Sequence, residues 1–178
     1  MNSQKEGMDM ASTDLLKKAN LFESLSRDQL KAIIQAGEGK SFKAGEEIFK
    51  QGQKANILYV LVDGGVTLRI RAEEEIDLMA EMLKDTGSVF GTASLMTPRI
   101  FNVTARCVKN TRVLAIDSGK LQEIMRRDPF MGFGVMTKLA QLYFNRLNST
   151  RAAITNLFKI FKFQTRKPLV FDTYGELK

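Results

Sequence analysis

At 178 residues, 44% of them apolar and with few Gly and Pro, the chain has room for one domain with a proper core, which excludes a disordered or fibrous class. One cysteine, Cys107, and no histidine exclude an intrachain disulfide and leave zinc, haem and Cys/His nucleophilic chemistry almost without ligands, so no metal or cofactor is expected and a reducing, cytoplasmic home fits best. The net charge of +7 is uneven: residues 1–129 hold 19 basic and 18 acidic side chains and residues 130–178 hold 8 and 2, an excess that attracts anions but is ordinarily a solvated helix face.

Residues 1–10 read as a polar leader, and Asp14 to Lys18 and Arg27 to Gln35 as helices, the second opened by Ser26 as N-cap with Gln29 at the capping-box spacing. Gly37 and Gly39 are expected to stop that helix. From Lys40 to Asp117 short apolar runs alternate with Gly, Asp, Asn and Lys: Glu47 to Lys50, Asn56 to Val62, Val66 to Arg71, Asp77 to Leu83, Val103 to Val108 and Arg112 to Ile116. That rhythm predicts a barrel or double-sheet jelly roll, with Asp63-Gly64-Gly65 making a tight hairpin between two strands. No apolar run approaches the roughly 20 residues of a membrane span, the longest clear one being Ile57 to Val62.

Ser118 is expected to cap a helix from Gly119 to Arg127, ended by Asp128-Pro129 because the residue before proline avoids the helical region. A further helix is expected from Met131 to Lys162. Its positions Phe133, Met136, Ala140, Tyr143, Leu147, Thr150, Ile154, Leu157 and Phe161 follow a 3,4 alternation, the seam of a two-stranded coiled coil joining two copies of the chain. The alternative is that this face packs on the barrel. The 16 residues beyond Lys162 are too few for a winged helix-turn-helix. The expected organisation is a leader with first helix over 1–20, a barrel domain over 21–129, a long dimerisation helix over 130–162 and a basic tail over 163–178.

The stretch from Phe90 to Ala105 places Arg99 a few residues beyond a glycine-led turn, between two strand-like runs, where backbone N–H groups and a guanidinium can meet a phosphate. Together with Ala44-Gly45-Glu46, Gln51-Gly52 and Asp63-Gly64-Gly65-Val66, it resembles the cyclic-nucleotide-binding domain shared by the catabolite activator protein and the kinase regulatory subunits. The resemblance implies a mainly β fold with flanking helices, a double-stranded β-helix (jelly-roll) barrel followed by a long C-terminal helix. It also implies cAMP or cGMP as regulatory ligand, with Phe90, Gly91, Thr92, Ala93, Arg99, Ile100 and Phe101 in the phosphate-binding cassette. The cassette departs from the family pattern. Thr92 replaces the glutamate that accepts from a ribose 2′-OH, so a charge-assisted bond of about 1.5–3 kcal/mol drops toward about 1. Bulky Ile100 and Phe101 replace two small residues and are expected to fill part of the pocket, although rotation into the core would leave the backbone usable. The segment from Gly91 to Arg99 is a residue or two shorter than is usual. Along the long helix, Leu147 to Arg151 is similar in spacing to the family's central helix, where a Thr and the next residue touch the purine, which gives Thr150 and Arg151 as base contacts.

Three functions compete. The first is a non-enzymatic regulatory module sensing cAMP or cGMP with weakened affinity, acting as a homodimer through Tyr143, Leu147, Thr150, Ile154 and Leu157 on a separately encoded effector. The second is a pseudo-sensor whose closed pocket leaves a dimeric interaction scaffold. The third, a nucleic-acid or membrane-surface binder using Arg146, Arg151, Lys159, Lys162, Arg166 and Lys167 with Phe158 and Phe161, rests on charge asymmetry alone and is disfavoured. Catalysis without histidine would rest on carboxylates, Lys or hydroxyls, and the cluster Glu73-Glu74-Glu75 sits in a hairpin-like turn where a solvated charge run is the ordinary explanation, so no enzyme is expected.

Overall fold

The computed structural model describes residues 13–73 and 76–160. The expected leader over 1–10 and basic tail over 163–178 lie outside the described residues. Residues 13–18 form helix α1, followed by α2 (Arg27–Gln35). Among the described residues eight strands follow: β1 (Gly37–Phe42), β2 (Glu47–Phe49), β3 (Ile57–Asp63), β4 (Val66–Glu73), β5 (Ile76–Leu83), β6 (Val89–Phe90), β7 (Thr104–Cys107) and β8 (Thr111–Asp117). Helices α3 (Ser118–Arg127) and α4 (Pro129–Ile160) complete the order. The strands form two antiparallel four-stranded sheets, ordered β1-β8-β3-β6 and β2-β7-β4-β5, the jelly roll expected from the sequence.

β3 and β8 are buried on both faces, which is why their sequences are continuous apolar runs and not alternating ones. Tyr59, Leu61, Val113 and Ala115 join the barrel core with Phe49, Leu68, Phe90 and Phe101. Their sequence neighbours Leu58, Val60, Leu114 and Ile116 are buried too, on the opposite side of the pleat. Helix α3 packs against β8 and α2 against β1, so this sheet is roofed by helices. β1 is legible in no apolar pattern: its residues Glu38 to Ser41 are exposed, and it is a strand because Gly37 to Phe42 pair with Ile116 to Thr111. Gly37 and Gly39 thus belong to a strand, beyond a helix that ends at Gln35 with Ala36 as its C-cap.

Asp63-Gly64-Gly65 makes no hairpin. β3 and β4 belong to different sheets, and the turn carries the chain from one to the other. Gly64 has φ +112, and a Cβ there would lie 2.5 Å from Thr111 Cα, so the crossing demands glycine for its conformation and its space. The hairpin is instead β4–β5, with Glu73 paired to Ile76.

The helix ends are built from side-chain caps. Ser26 Oγ accepts from Gln29 N at 3.3 Å and Gln29 Oε1 accepts from Ser26 N at 2.9 Å, the capping box expected for α2. The cap of α3 is Asp117, one residue earlier than the expected Ser118: its Oδ1 accepts from Lys120 N at 2.8 Å, and Ser118 is the first helical residue. Asp128 stands between α3 and α4. Its Oδ1 accepts from Met131 N at 3.0 Å and its Oδ2 from Gln29 Nε2 at 2.6 Å, so one carboxylate joins α2, α3 and α4.

The chain divides into two compact units, Met1–Leu139 and Ala140–Lys178, with the boundary inside α4. In the first unit Met131, Val135 and Leu139 bury one face of α4, whereas Phe130 is 90% exposed and Phe133 76%. The face carrying Phe133 and Met136 therefore does not pack on the barrel there. In the second unit Leu147, Ile154 and Leu157 are exposed. Among the described residues no helix is long and apolar enough to cross a membrane.

Hydrogen bonds from Met131 N, the largest cause, and Gln29 hold the Asp128 carboxyl below the usual carboxylate range. The folded state thus favours the charged form, and the stability this gives is complete above the unfolded value of about 3.9 and fades as pH falls through the lower folded value. Asp128→Asn is expected to melt below the wild type at neutral pH, with the gap closing in acid below about pH 4; a gap of constant size across that range in thermal melts would contradict the clamp.

Candidate ligand-binding site

The stretch from Phe90 to Phe101 is a loop pinned at both ends. At its start β6 pairs with β3, Phe90 opposite Tyr59. Gly91 follows with φ +73, where a Cβ would meet Ile57 O at 2.9 Å and the Tyr59 ring at 3.0 Å, so only glycine lets the chain turn this close to β3. A single 3-10 turn, Thr92–Leu95, is next, with Ser94 N donating to Gly91 O at 3.0 Å and Met96 N to Ala93 O at 3.2 Å. After a cis Thr97–Pro98 bond, Arg99 adopts φ +59.

The segment 52–55 frames the far end. Ala55 N donates to Arg99 O at 2.7 Å, Phe101 N to Gln53 O at 2.9 Å, and Gly52 N to Phe101 O at 2.7 Å. Arg99 N donates to Met96 O at 2.8 Å, so the arginine backbone is held from both sides. A residue with a Cβ in the left-handed region costs about 1–2 kcal/mol and persists where its surroundings impose it.

Four rings tie the two ends of the loop together inside the barrel. Phe101 stacks on Phe49 with centroids 3.8 Å apart and planes 13° from parallel, Phe49 lies 5.7 Å from Tyr59, and Tyr59 stacks on Phe90 at 5.1 Å. Burial pushes the Tyr59 hydroxyl above its ordinary pKa. The two bulky residues after the arginine thus part company: Phe101 turns into the core, and Ile100 stays 48% exposed.

The site residues named from the sequence fall into two groups. Phe90, Gly91, Thr92, Ala93, Arg99, Ile100 and Phe101 share one loop of the first unit, with Thr92 buried and Ala93 packed against the barrel core. Thr150 and Arg151 stand on α4 in the second unit, both exposed, and the Thr150 hydroxyl donates to Arg146 O of its own helix at 3.0 Å. The guanidinium of Arg99 is half-buried and turns to α3, where Nη2 donates to Gln122 Oε1.

Two residues of this region carry no sequence signal. Ser94 is fully buried and its Oγ has no hydrogen-bond partner among the described residues, a state that costs about 1–3 kcal/mol for a hydroxyl. Gln122 lines a cleft of about 620 Å³ between α3 and the start of α4, with Met125, Arg126, Pro129, Gly132 and Met136. A second cleft, of about 440 Å³, lies at the turn before β2, beside Lys43, Glu46, Asp63, Asn110 and Arg112. Among the described residues no group of three or more His, Cys, Asp and Glu side chains is placed to hold a metal ion.

The family model for the cyclic nucleotide-binding domain matches residues 39–128, from within β1 to the end of α3. The cGMP-dependent protein kinase of Plasmodium berghei (strain Anka) is 32% identical over 116 residues, which are 61% of this chain and 13% of the kinase. The cAMP-dependent protein kinase regulatory subunit of Debaryomyces hansenii is 29% identical over 112 residues, 62% of this chain and 24% of that protein. The chain therefore spans about a quarter or less of these curated relatives. A crystal structure assigned as a cyclic nucleotide-binding protein from Geobacter metallireducens GS-15 superposes with a TM-score of 0.66 at 32% identity, over 76% of this chain and 98% of that one. The Thermus thermophilus catabolite activator protein gives 0.67 at 24% identity, over 78% and 63%, a likeness of fold.

Proposed function

The chain belongs to the cyclic nucleotide-binding domain family, and on that premise we propose that it is a non-enzymatic regulatory module that binds cAMP or cGMP through Arg99, with affinity lowered by Thr92. The observation that carries this reading is the arginine itself. Arg99 is held at φ +59 by backbone bonds on both sides, a strained state that clusters at functional sites, and the resemblance of the run from Phe90 to Ala105 to the family's cassette matches it to the phosphate-binding arginine. The buried Ser94 hydroxyl without a partner supports it, because a ligand oxygen there would satisfy the group. Thr92 carries no charge to accept from a ribose hydroxyl.

Isothermal titration tests this reading. Wild-type protein is expected to take up cAMP or cGMP with weak affinity, Arg99→Ala to lose binding, and Thr92→Glu to tighten it about tenfold, the worth of a charge-assisted bond over a neutral one. No heat at millimolar ligand from either the wild type or Thr92→Glu would contradict it.

A second reading, a scaffold that no longer binds nucleotide, draws on Phe101 in the barrel core and on the apolar side chains that α4 leaves exposed. Under both readings two copies of the chain pair through Tyr143, Leu147, Thr150, Ile154 and Leu157, and a separately encoded effector reads the pairing. Exposed Leu147, Ile154 and Leu157 support this, since such a stripe is covered in coiled coils by the same residues of a partner. Sedimentation velocity is expected to show a dimer that becomes monomeric on Leu147→Lys with Ile154→Lys; a monomeric wild type at about 100 μM would contradict the pairing.

A further inference from the structure

Gln122 is the residue of α3 that meets the cassette arginine. Its Oε1 accepts from Arg99 Nη2, its backbone carbonyl accepts from Arg126 Nε at 3.3 Å, and its side chain borders the cleft that Met125, Pro129 and Met136 also line. Nη2 is the nitrogen common to both forks of a guanidinium: the side-on fork pairs it with Nε and the end-on fork with Nη1. A phosphate gripped by two parallel N–H···O bonds therefore takes a hydrogen of Nη2 in either orientation. Nη2 carries two hydrogens, one for each fork, and the one that Gln122 accepts is withdrawn from its fork.

We propose that Gln122 is a latch on the binding site: its amide oxygen competes with the ligand's phosphate for Arg99 Nη2, so nucleotide binding exchanges a bond between the cassette and α3 for a bond between the cassette and the ligand. The proposal rests on the nucleotide reading above. Both bonds are charge-assisted by the guanidinium, but a phosphate adds ion-pair attraction and can take two parallel N–H···O bonds where the amide oxygen takes one, so the exchange runs toward the ligand. A ligand moves an element only through a contact that differs between two states, and this bond is such a contact. It is the side-chain tie from Arg99 to the helix that leads through Asp128 into α4. The Arg99 backbone is bonded to Met96 and Ala55 independently of Gln122, so the side-chain bond can be exchanged without breaking the loop's own bonds.

Titration of cAMP and cGMP into the full chain and two variants tests the latch, with amide hydrogen exchange of α3 as a readout independent of ligand. Gln122→Leu, of similar volume on a half-buried helix position, removes the competitor and is expected to tighten binding about five- to tenfold. Gln122→Glu puts an anion on the guanidinium and is expected to weaken binding by at least about tenfold. Opposite signs are the signature, because a residue that merely supports α3 shifts both variants the same way. Without nucleotide, the α3 amides should exchange faster in Gln122→Leu and in Arg99→Ala than in the wild type. Measurable wild-type binding with both variants unchanged, or shifted together, would overturn the latch and leave the nucleotide reading standing. Absence of binding by all three chains would remove that reading and the exchange with it.

Discussion

The stack of Phe90, Tyr59, Phe49 and Phe101 is the constraint on which the rest of the site depends. The loop between Phe90 and Phe101 is short, polar in part, and carries two left-handed residues, Gly91 and Arg99. Left to itself such a segment has no reason to hold one shape, because ordering each residue costs about 1–2 kcal/mol of backbone entropy. Both of its ends are aromatic side chains inserted into one buried column, and the bonds from residues 52–55 fix the arginine between them. The core of the barrel thereby determines where the guanidinium stands.

That arrangement changes the meaning of the two bulky residues after the arginine. Read as a string, Ile100 and Phe101 both look like obstructions beside a phosphate. In the fold, Phe101 is part of the column that shapes the loop, stacked on Phe49, and Ile100 is half-exposed at the surface. The helical side tells a related story. Asp128 binds α2, α3 and α4 together, and the first turns of α4 bury Met131, Val135 and Leu139 while leaving Phe130 and Phe133 in solvent. At Gln122 the loop and this helical layer are joined by a side-chain hydrogen bond.

Much of the fold was legible because burial on both faces leaves a mark in sequence. β3 and β8 appear as apolar runs, and Ser26 with Gln29 announces α2 through its capping box. β1 left no such mark, since an exposed strand of Gly, Glu, Lys and Ser is defined by its pairing with β8 alone. The turn at Asp63 to Gly65 was legible as a turn but not as a change of sheet, because a positive φ says nothing about which strand the chain joins next. At the candidate site, the glycine-led turn and the arginine marked the loop from Phe90 to Phe101 in the sequence. Ser94 and Gln122 were not: an unpartnered hydroxyl and a glutamine on a helix acquire significance only from what lies against them in space.

The central claim, that Phe101 closes the loop by stacking in the core, is tested most directly by chemical denaturation of Phe101→Ala beside Ile100→Ser. The account predicts a loss of about 3–5 kcal/mol for the first, as for other buried phenylalanines, and a change within about 0.5 kcal/mol for the second, as for other exposed positions. An unchanged unfolding midpoint for Phe101→Ala would contradict it.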